Sequence, residues 1–294
     1  MISKRGLAVF SIITSAAVLT FCGLSWNRSP HIRLIKTAKL DQLSQTLRTD
    51  IQTRKDAIAI NGCHQFVSRE NNRGDVINFD HCLTRQSDRK NILVLGSSYA
   101  ADDWIALSHA YPEYNVQRIT SQGCASFSKL FPQCEITRRY IYNNIDRINE
   151  FDLVVISDNW TPKAYPYSGL ERILDHLKTN VIIFGPRGRL SERPVDVLRK
   201  NGLTGQVFIA EEYLNPEIGP LRQTLLNAAR DRQLGFIDMY DVLRQDGGLP
   251  FFVDQDHFLF LDIGHYSPQG ALYAGKAIRR LYSDYEALLL KSIP

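Results

Sequence analysis

The chain has 294 residues, a formal net charge of +4, 44% hydrophobic residues and 22% charged ones. That composition describes a globular chain with a real core and excludes disordered and collagen-like proteins. It has no basic run of the kind that grips nucleic acid, and only one stretch is long and apolar enough to span a bilayer. The charge therefore gives no argument for nucleic-acid binding, and a polytopic membrane protein is excluded.

That one stretch opens the chain. After Lys4 and Arg5, the segment Gly6 to Asn27 carries no charge. It is expected to be an uncleaved membrane anchor rather than a cleaved signal peptide, because no A-x-A pattern stands near its end. Leu19-Thr20-Phe21-Cys22 has the outline of a lipoprotein box, but Phe21 occupies a place that wants a small residue. Beyond the segment remain four cysteines: Cys63, Cys82, Cys124 and Cys134. An even number after an export segment points to disulfides in an oxidising compartment. Of three possible connectivities, Cys63–Cys82 with Cys124–Cys134 is favoured, because each pair closes a short loop rich in turn residues. A rival reading takes Cys63, His64, His81 and Cys82 as zinc ligands, but the spacing matches no familiar finger and adjacent ligands suit a tetrahedral site poorly. No metal or cofactor is expected.

Residues 28–90 are expected to form a stalk and a disulfide loop. Leu40, Leu43, Leu47, Ile51 and Ile58 recur at helical intervals, which predicts a connecting helix leaning on the main domain. From residue 91 to 294 the pattern is that of one α/β domain. Continuous apolar runs at Ile92–Leu95, Leu153–Ile156 and Val181–Phe184 predict buried parallel strands. Asn115–Ile119, Gln206–Ala210 and Gly235–Asp238 are weaker strand candidates. Helices are predicted over 100–110, 135–149, 168–178, 221–233 and 268–290. Strands alternating with helices imply a parallel sheet covered on both faces, in three layers of the flavodoxin type.

In such a sheet the active crevice lies at the carboxyl ends of the strands. Ser98 stands there, between a strand and a helix, where a hydroxyl is presented near free backbone N–H groups. Serine is also a common helix N-cap, and for Ser98 alone that plainer role is the stronger one. A serine nucleophile needs a base, and the base needs an orienting group. His257 and His265 each follow an aspartate by three residues, Asp254 and Asp262. His265 is preferred, because Ser267, Pro268 and Gly270 then begin a helix that holds it rigidly.

Leu95-Gly96-Ser97-Ser98, Gly123, Asn159 and Asp262-Ile-Gly-His265-Tyr-Ser267-Pro-Gln-Gly270-Ala271 resemble the four blocks of the SGNH (GDSL-type) hydrolase superfamily. The likeness is greatest to the extracytoplasmic SGNH domains of bacterial acyltransferase-3 proteins, and it covers about Asn91 to Leu281. It departs from the pattern at Ser97, where the family carries Asp, and in the third block, which reads Ser157-Asp158-Asn159-Trp160. The resemblance implies the SGNH fold and an acyl-serine mechanism. Ser98 would attack, His265 would take the proton and Asp262 would orient the imidazole. Ser98, Gly123 and Asn159 would line the oxyanion hole. Tyr99 and Arg187 are candidate substrate contacts, with Arg189 beside them. The implied protein is an O-acyl (O-acetyl) transferase or carbohydrate esterase. It would act on an envelope glycan with a separate membrane acyltransferase as partner, and would be anchored by one span in the bacterial inner membrane with its catalytic domain in the periplasm. The altered first block also motivates a reading as a catalytically silent module that binds glycan or an envelope partner.

Overall fold

The computed structural model of the chain describes residues 30–66, 79–123, 127, 134–162, 165, 169–201, 208–209, 211–245 and 248–291. Six parallel strands form one sheet: β1 (His64–Gln65), β2 (Asn91–Ser97), β3 (Asn115–Ser121), β4 (Leu153–Ser157), β5 (Asn180–Phe184) and β6 (Gly235–Ile237), in the order β1-β3-β2-β4-β5-β6. All seven residues of β2 are buried. Its side chains alternate across the sheet, so Ile92 and Val94 join one core layer while Leu93 and Leu95 join the other. This two-sided burial is why the central strands read as unbroken apolar runs.

Among the described residues ten α-helices accompany the strands: α1 (Pro30–Ala59), α2 (Ser98–Ala110), α3 (Glu135–Asn143), α4 (Ile145–Ile148), α5 (Leu170–Leu174), α6 (Pro194–Asn201), α7 (Ile218–Asp231), α8 (Met239–Leu243), α9 (Pro268–Leu281) and α10 (Tyr285–Lys291). Helices α1, α2, α6, α8, α9 and α10 cover one face, and α3, α4, α5 and α7 cover the other. The α/β sandwich expected from the sequence is the observed one. The span expected over 6–27 lies outside the described residues, and among the described residues no helix is long and apolar enough to cross a membrane.

Several elements differ from expectation for local reasons. The helix expected over 135–149 is two helices, interrupted at Asn144, whose backbone leaves helical values at φ −117° and ψ 22°. The final helix likewise breaks at Tyr282, and Asp284 restarts the chain by accepting from the Ala287 N–H. Of the weak strand candidate at 206–210, residues 208 and 209 are described. Phe208 makes only an isolated antiparallel bridge to Pro250.

The stretch read as stalk and disulfide loop supplies two parts of the domain. Its residues 64–65 add β1 to the sheet edge beside β3. Its helix α1 packs Leu43, Leu47 and Ile58 against the domain. Carbonyls at and just past the end of α1 are met from inside the sheet: buried Arg118 of β3 donates to the carbonyls of Ile58 and Ile60 and lies 3.6 Å over the Trp104 ring. Cys63 and Cys82 form a disulfide beside β1. Cys134 is also disulfide-bonded, while Cys124 lies outside the described residues.

Candidate active site

Strand β2 is flanked by β3 on one side and β4 on the other. The helix after β2 packs on one face of the sheet and the helix after β4 on the opposite face, so a crevice opens where the two strands end. Two backbone demands shape it. Gly96 has φ +148°, and a Cβ there would fall 1.6 Å from the carbonyl oxygen of Ser157, so only glycine lets β2 and β4 close at this point. Gly264 is the second, because a Cβ there would meet the Tyr99 hydroxyl at 2.3 Å.

Ser98 is the first residue of α2, but it does not cap that helix. Ser97 does: its Oγ accepts the Tyr99 N–H at 3.3 Å and also the Asn159 N–H at 3.0 Å. A hydroxyl oxygen has two lone pairs and serves both donors. Ser97, the departure from the family pattern, thus joins the end of β2 to the end of β4 and leaves Ser98 free to face outward. The Ser98 N–H lies in the first helical turn, where no intrahelical partner exists.

The structure brings Ser98, His265 and Asp262 together. Ser98 Oγ lies 2.8 Å from His265 Nε2, and His265 Nδ1 lies 2.7 Å from Asp262 Oδ2. The other carboxylate oxygen, Asp262 Oδ1, accepts the backbone N–H groups of Gly264 and His265, each at 2.9 Å. Burial alone would raise the Asp262 pKa. The hydrogen bond and charge of His265, with the two backbone N–H groups, outweigh it and hold the carboxyl well below the usual range. Asp262 is therefore an ionised acceptor, so Nδ1 of a neutral His265 carries the proton and Nε2 offers its lone pair to the Ser98 hydroxyl. His257 is placed elsewhere. Its Nδ1 bonds Asp254 at 2.9 Å and its Nε2 lies 3.9 Å from Asp50 of α1.

The Asn159 backbone is pinned by Ser97 and by its neighbour Asp158. Arg189 Nη1 donates to Asn159 Oδ1 at 3.3 Å, which leaves the amide nitrogen as the free end of that side chain. Gly123 follows β3, one residue after Gln122, which lines the same cleft as Ser98.

Arg187 and Tyr99 lie beneath the cleft, not in it. The Arg187 guanidinium is buried, paired with Asp102 at 3.2 Å and Asp103 at 2.7 Å, and donates to the Tyr99 carbonyl. It lies 3.9 Å over the Tyr266 ring. Ser157 of β4 donates to Asp103 at 2.5 Å, and the Tyr266 N–H donates to Asp102 at 3.1 Å. Arg54 of α1 completes this buried network, donating to Asp102 at 2.6 Å and to the Ser98 carbonyl at 3.1 Å. The Tyr99 ring packs 4.7 Å from the His265 ring. Five segments are thus locked under the serine and the histidine. Such a network is costly to half-break, because a removed partner leaves a buried charge.

The Cys/His cluster is not a four-ligand set. The two sulfurs are bonded to each other, His81 Nε2 lies 3.5 Å and 3.7 Å from them, and His64 turns away to Thr120. Sequence reasoning missed Arg54, Ser97 as a cap, and the place of His64 in the cleft. Arg54 lies 44 residues before Ser98 in the chain and carries no local signal.

A search of curated proteins finds no match. The family model of the SGNH domain fused to AT3 domains matches residues 62–280. Among solved structures, the lipopolysaccharide acetyltransferase periplasmic domain of Salmonella ser. Paratyphi A is similar in fold, with a TM-score of 0.62 and 18% identity over 79% of this chain and 95% of that one. A putative SGNH hydrolase from Slackia heliotrinireducens aligns with a TM-score of 0.42 and 16% identity, over 65% of this chain and 98% of that one. The C-terminal catalytic domain of Streptococcus pneumoniae peptidoglycan O-acetyltransferase A gives 0.36 and 13%, over 65% and 91%. The family match spans well over half of the chain, which therefore belongs to the family of SGNH domains fused to AT3 domains.

Proposed function

We propose that this chain is a serine-dependent acyl-transfer enzyme of the bacterial cell envelope. The observation that carries the reading is the hydrogen-bond chain Ser98–His265–Asp262, set at the rim of a cleft of about 460 Å³. Ser98 Oγ bonds to the acyl carbon as its proton passes to His265 Nε2, and Asp262 holds the resulting imidazolium. The oxyanion is met by the backbone N–H groups of Ser98 and Gly123 and by the Asn159 amide, whose other end Arg189 holds. The leaving group takes the proton from His265. The acyl-serine then passes its acyl group, O-acetyl in the first place, to a carbohydrate hydroxyl or to water.

The compartment and partner belong to the same proposal. The apolar segment 6–27 anchors the chain once in the inner membrane, with the domain in the periplasm. The disulfide Cys63–Cys82 supports an oxidising space. The family's fusion to AT3 domains supports a membrane acyltransferase as acyl donor to this chain, and an envelope glycan as acceptor. The test is hydrolysis of p-nitrophenyl acetate by the full chain in detergent. Ser98→Ala is expected to lower it by on the order of 10³-fold or more, and a fluorophosphonate label is expected to map to Ser98. Unchanged hydrolysis in Ser98→Ala would sink the serine mechanism.

A further inference from the structure

The cleft beside Ser98 has a lining that the acyl-serine chemistry does not use. Ile51 and Lys55 of α1 contribute to it, as do His64 of β1 and Phe66 just beyond it. His64 is the unusual member. It is 4% exposed, with Nδ1 2.8 Å from the hydroxyl oxygen of Thr120. The Thr120 hydroxyl donates its single proton to the Cys63 carbonyl at 3.4 Å. The tautomer with the proton on Nδ1 satisfies both contacts at once, the ring donating to the Thr120 oxygen. The ring is neutral: burial, together with the charges of Arg118, Arg54 and His265, pushes its pKa down to about 3. In that tautomer Nε2 presents its lone pair, and among the described residues it has no protein partner. The ring lines the cleft that holds Ser98, so a hydroxyl bound there can donate to Nε2 in place of water.

We propose that His64 positions the acyl acceptor: its Nε2 accepts a hydrogen bond from a hydroxyl adjacent to the one being acylated, in a carbohydrate with vicinal hydroxyls. This rests on the acyl-serine reading and deepens it by naming what the second half-reaction is built for. In that step the acceptor oxygen bonds to the acyl carbon and its proton passes to His265 Nε2. The bond from the acyl carbon to Ser98 Oγ breaks, and Oγ takes the proton back. His64 takes no proton; it holds the neighbouring hydroxyl and so orients the attacking one. The Phe66 ring and Ile51 offer apolar surface to the sugar's C–H groups. Water has no second hydroxyl for His64 to hold, so the cleft favours transfer over hydrolysis.

The test uses the full chain in detergent with p-nitrophenyl acetate as donor and two acceptor classes, a panel of methyl glycosides and ethanol. The p-nitrophenol burst reads acylation of Ser98, and acetylated product is read by mass spectrometry. His64→Phe keeps the ring volume and removes the lone pair. It is expected to leave the burst within about twofold and to lower transfer to methyl glycosides about 5- to 10-fold, the worth of one neutral hydrogen bond, while transfer to ethanol stays unchanged. His64→Gln, which keeps an acceptor, is expected to recover part of the glycoside transfer. The proposal is overturned if His64→Phe lowers both acceptors alike, if it lowers neither, or if the parent chain acetylates no methyl glycoside. A burst reduced in step with transfer assigns His64 a merely structural role and also overturns it. Absence of a burst in the parent chain instead fails the acyl-serine reading, and takes this proposal with it.

Discussion

Replacing Ser97 with alanine removes one oxygen that two backbone N–H groups share. The Tyr99 N–H loses its helix cap, a change worth about 1 kcal/mol. The Asn159 N–H keeps Asp158 as an acceptor at 2.7 Å, so its loss is partial and under about 1 kcal/mol. Ser97→Ala is therefore expected to cost about 1–2 kcal/mol in all, a Tm drop of roughly 2–8 °C for a domain of this size. The effect on rate arises through Asn159. Full loss of one oxyanion donor costs on the order of 10²–10³ in kcat, and a loosened but still present donor is expected to cost about tenfold, with KM little changed. Ser97→Asp keeps an acceptor and places a negative charge at the N-terminus of α2, so it is expected to hold Tm and kcat near the parent values. Thermal unfolding and p-nitrophenyl acetate kinetics on the three chains decide the matter. Parent-like kcat and Tm in Ser97→Ala would refute the linking role, and a loss as deep as that of Ser98→Ala would show that the wrong serine has been read as the nucleophile.

Other expectations follow from the same contacts. Arg54→Ala strips Asp102 of one partner but leaves it Arg187 and the Tyr266 N–H, so denaturant unfolding should show a loss of about 2 kcal/mol, below that of a fully orphaned buried charge; a change under about 0.5 kcal/mol would contradict it. The Cys63–Cys82 bridge joins residues 19 apart, and replacing both cysteines with serine should cost about 3 kcal/mol by loop entropy; equal stability of bridged and unbridged chains counts against this. The third expectation concerns acid. His64 titrates near 6.5 when unfolded and about 3 when folded, so the unfolded chain binds the proton first. Its contribution is fully present above about pH 6.5 and is lost as pH falls from there toward 3, by up to about 1.4 kcal/mol per pH unit. Unfolding free energies at pH 7 and pH 5 should therefore diverge less in His64→Phe than in the parent, and an identical divergence rules the assignment out.

Parts of this molecule were legible in the sequence because their environment is uniform. Ile92–Leu95, Leu153–Ile156 and Val181–Phe184 are buried on both sides, so each needed an unbroken apolar run. The His265 loop was legible because Ser267, Pro268 and Gly270 write a helix start: Ser267 Oγ accepts the Gly270 N–H at 2.8 Å. What stayed hidden depends on partners distant in the chain. β1 is two polar-looking residues whose strand character comes from the edge of β3. Arg187 follows a strand end as a substrate-binding arginine would, and only the fold shows its guanidinium turned inward onto Asp102 and Asp103. Ser97 looked like a missing aspartate because the pattern names the residue type, whereas what the fold shows is an oxygen that accepts two N–H groups.

Helix α1 carries a consequence for where such a domain begins. The family match starts at residue 62, after α1 has ended. Yet α1 fastens itself to the domain at three levels, through Lys39 to Asp256, Asp50 beside His257, and Arg54 to Asp102. It also supplies Ile51 and Lys55 to the cleft. A chimera that exchanges the unit at residue 62 would carry Ser98 and His265 across and leave behind Ile51, Arg54 and Lys55 of the cleft's lining. The lining of this cleft can therefore change through a segment that lies outside the matched region, without a single change to residues 62–280.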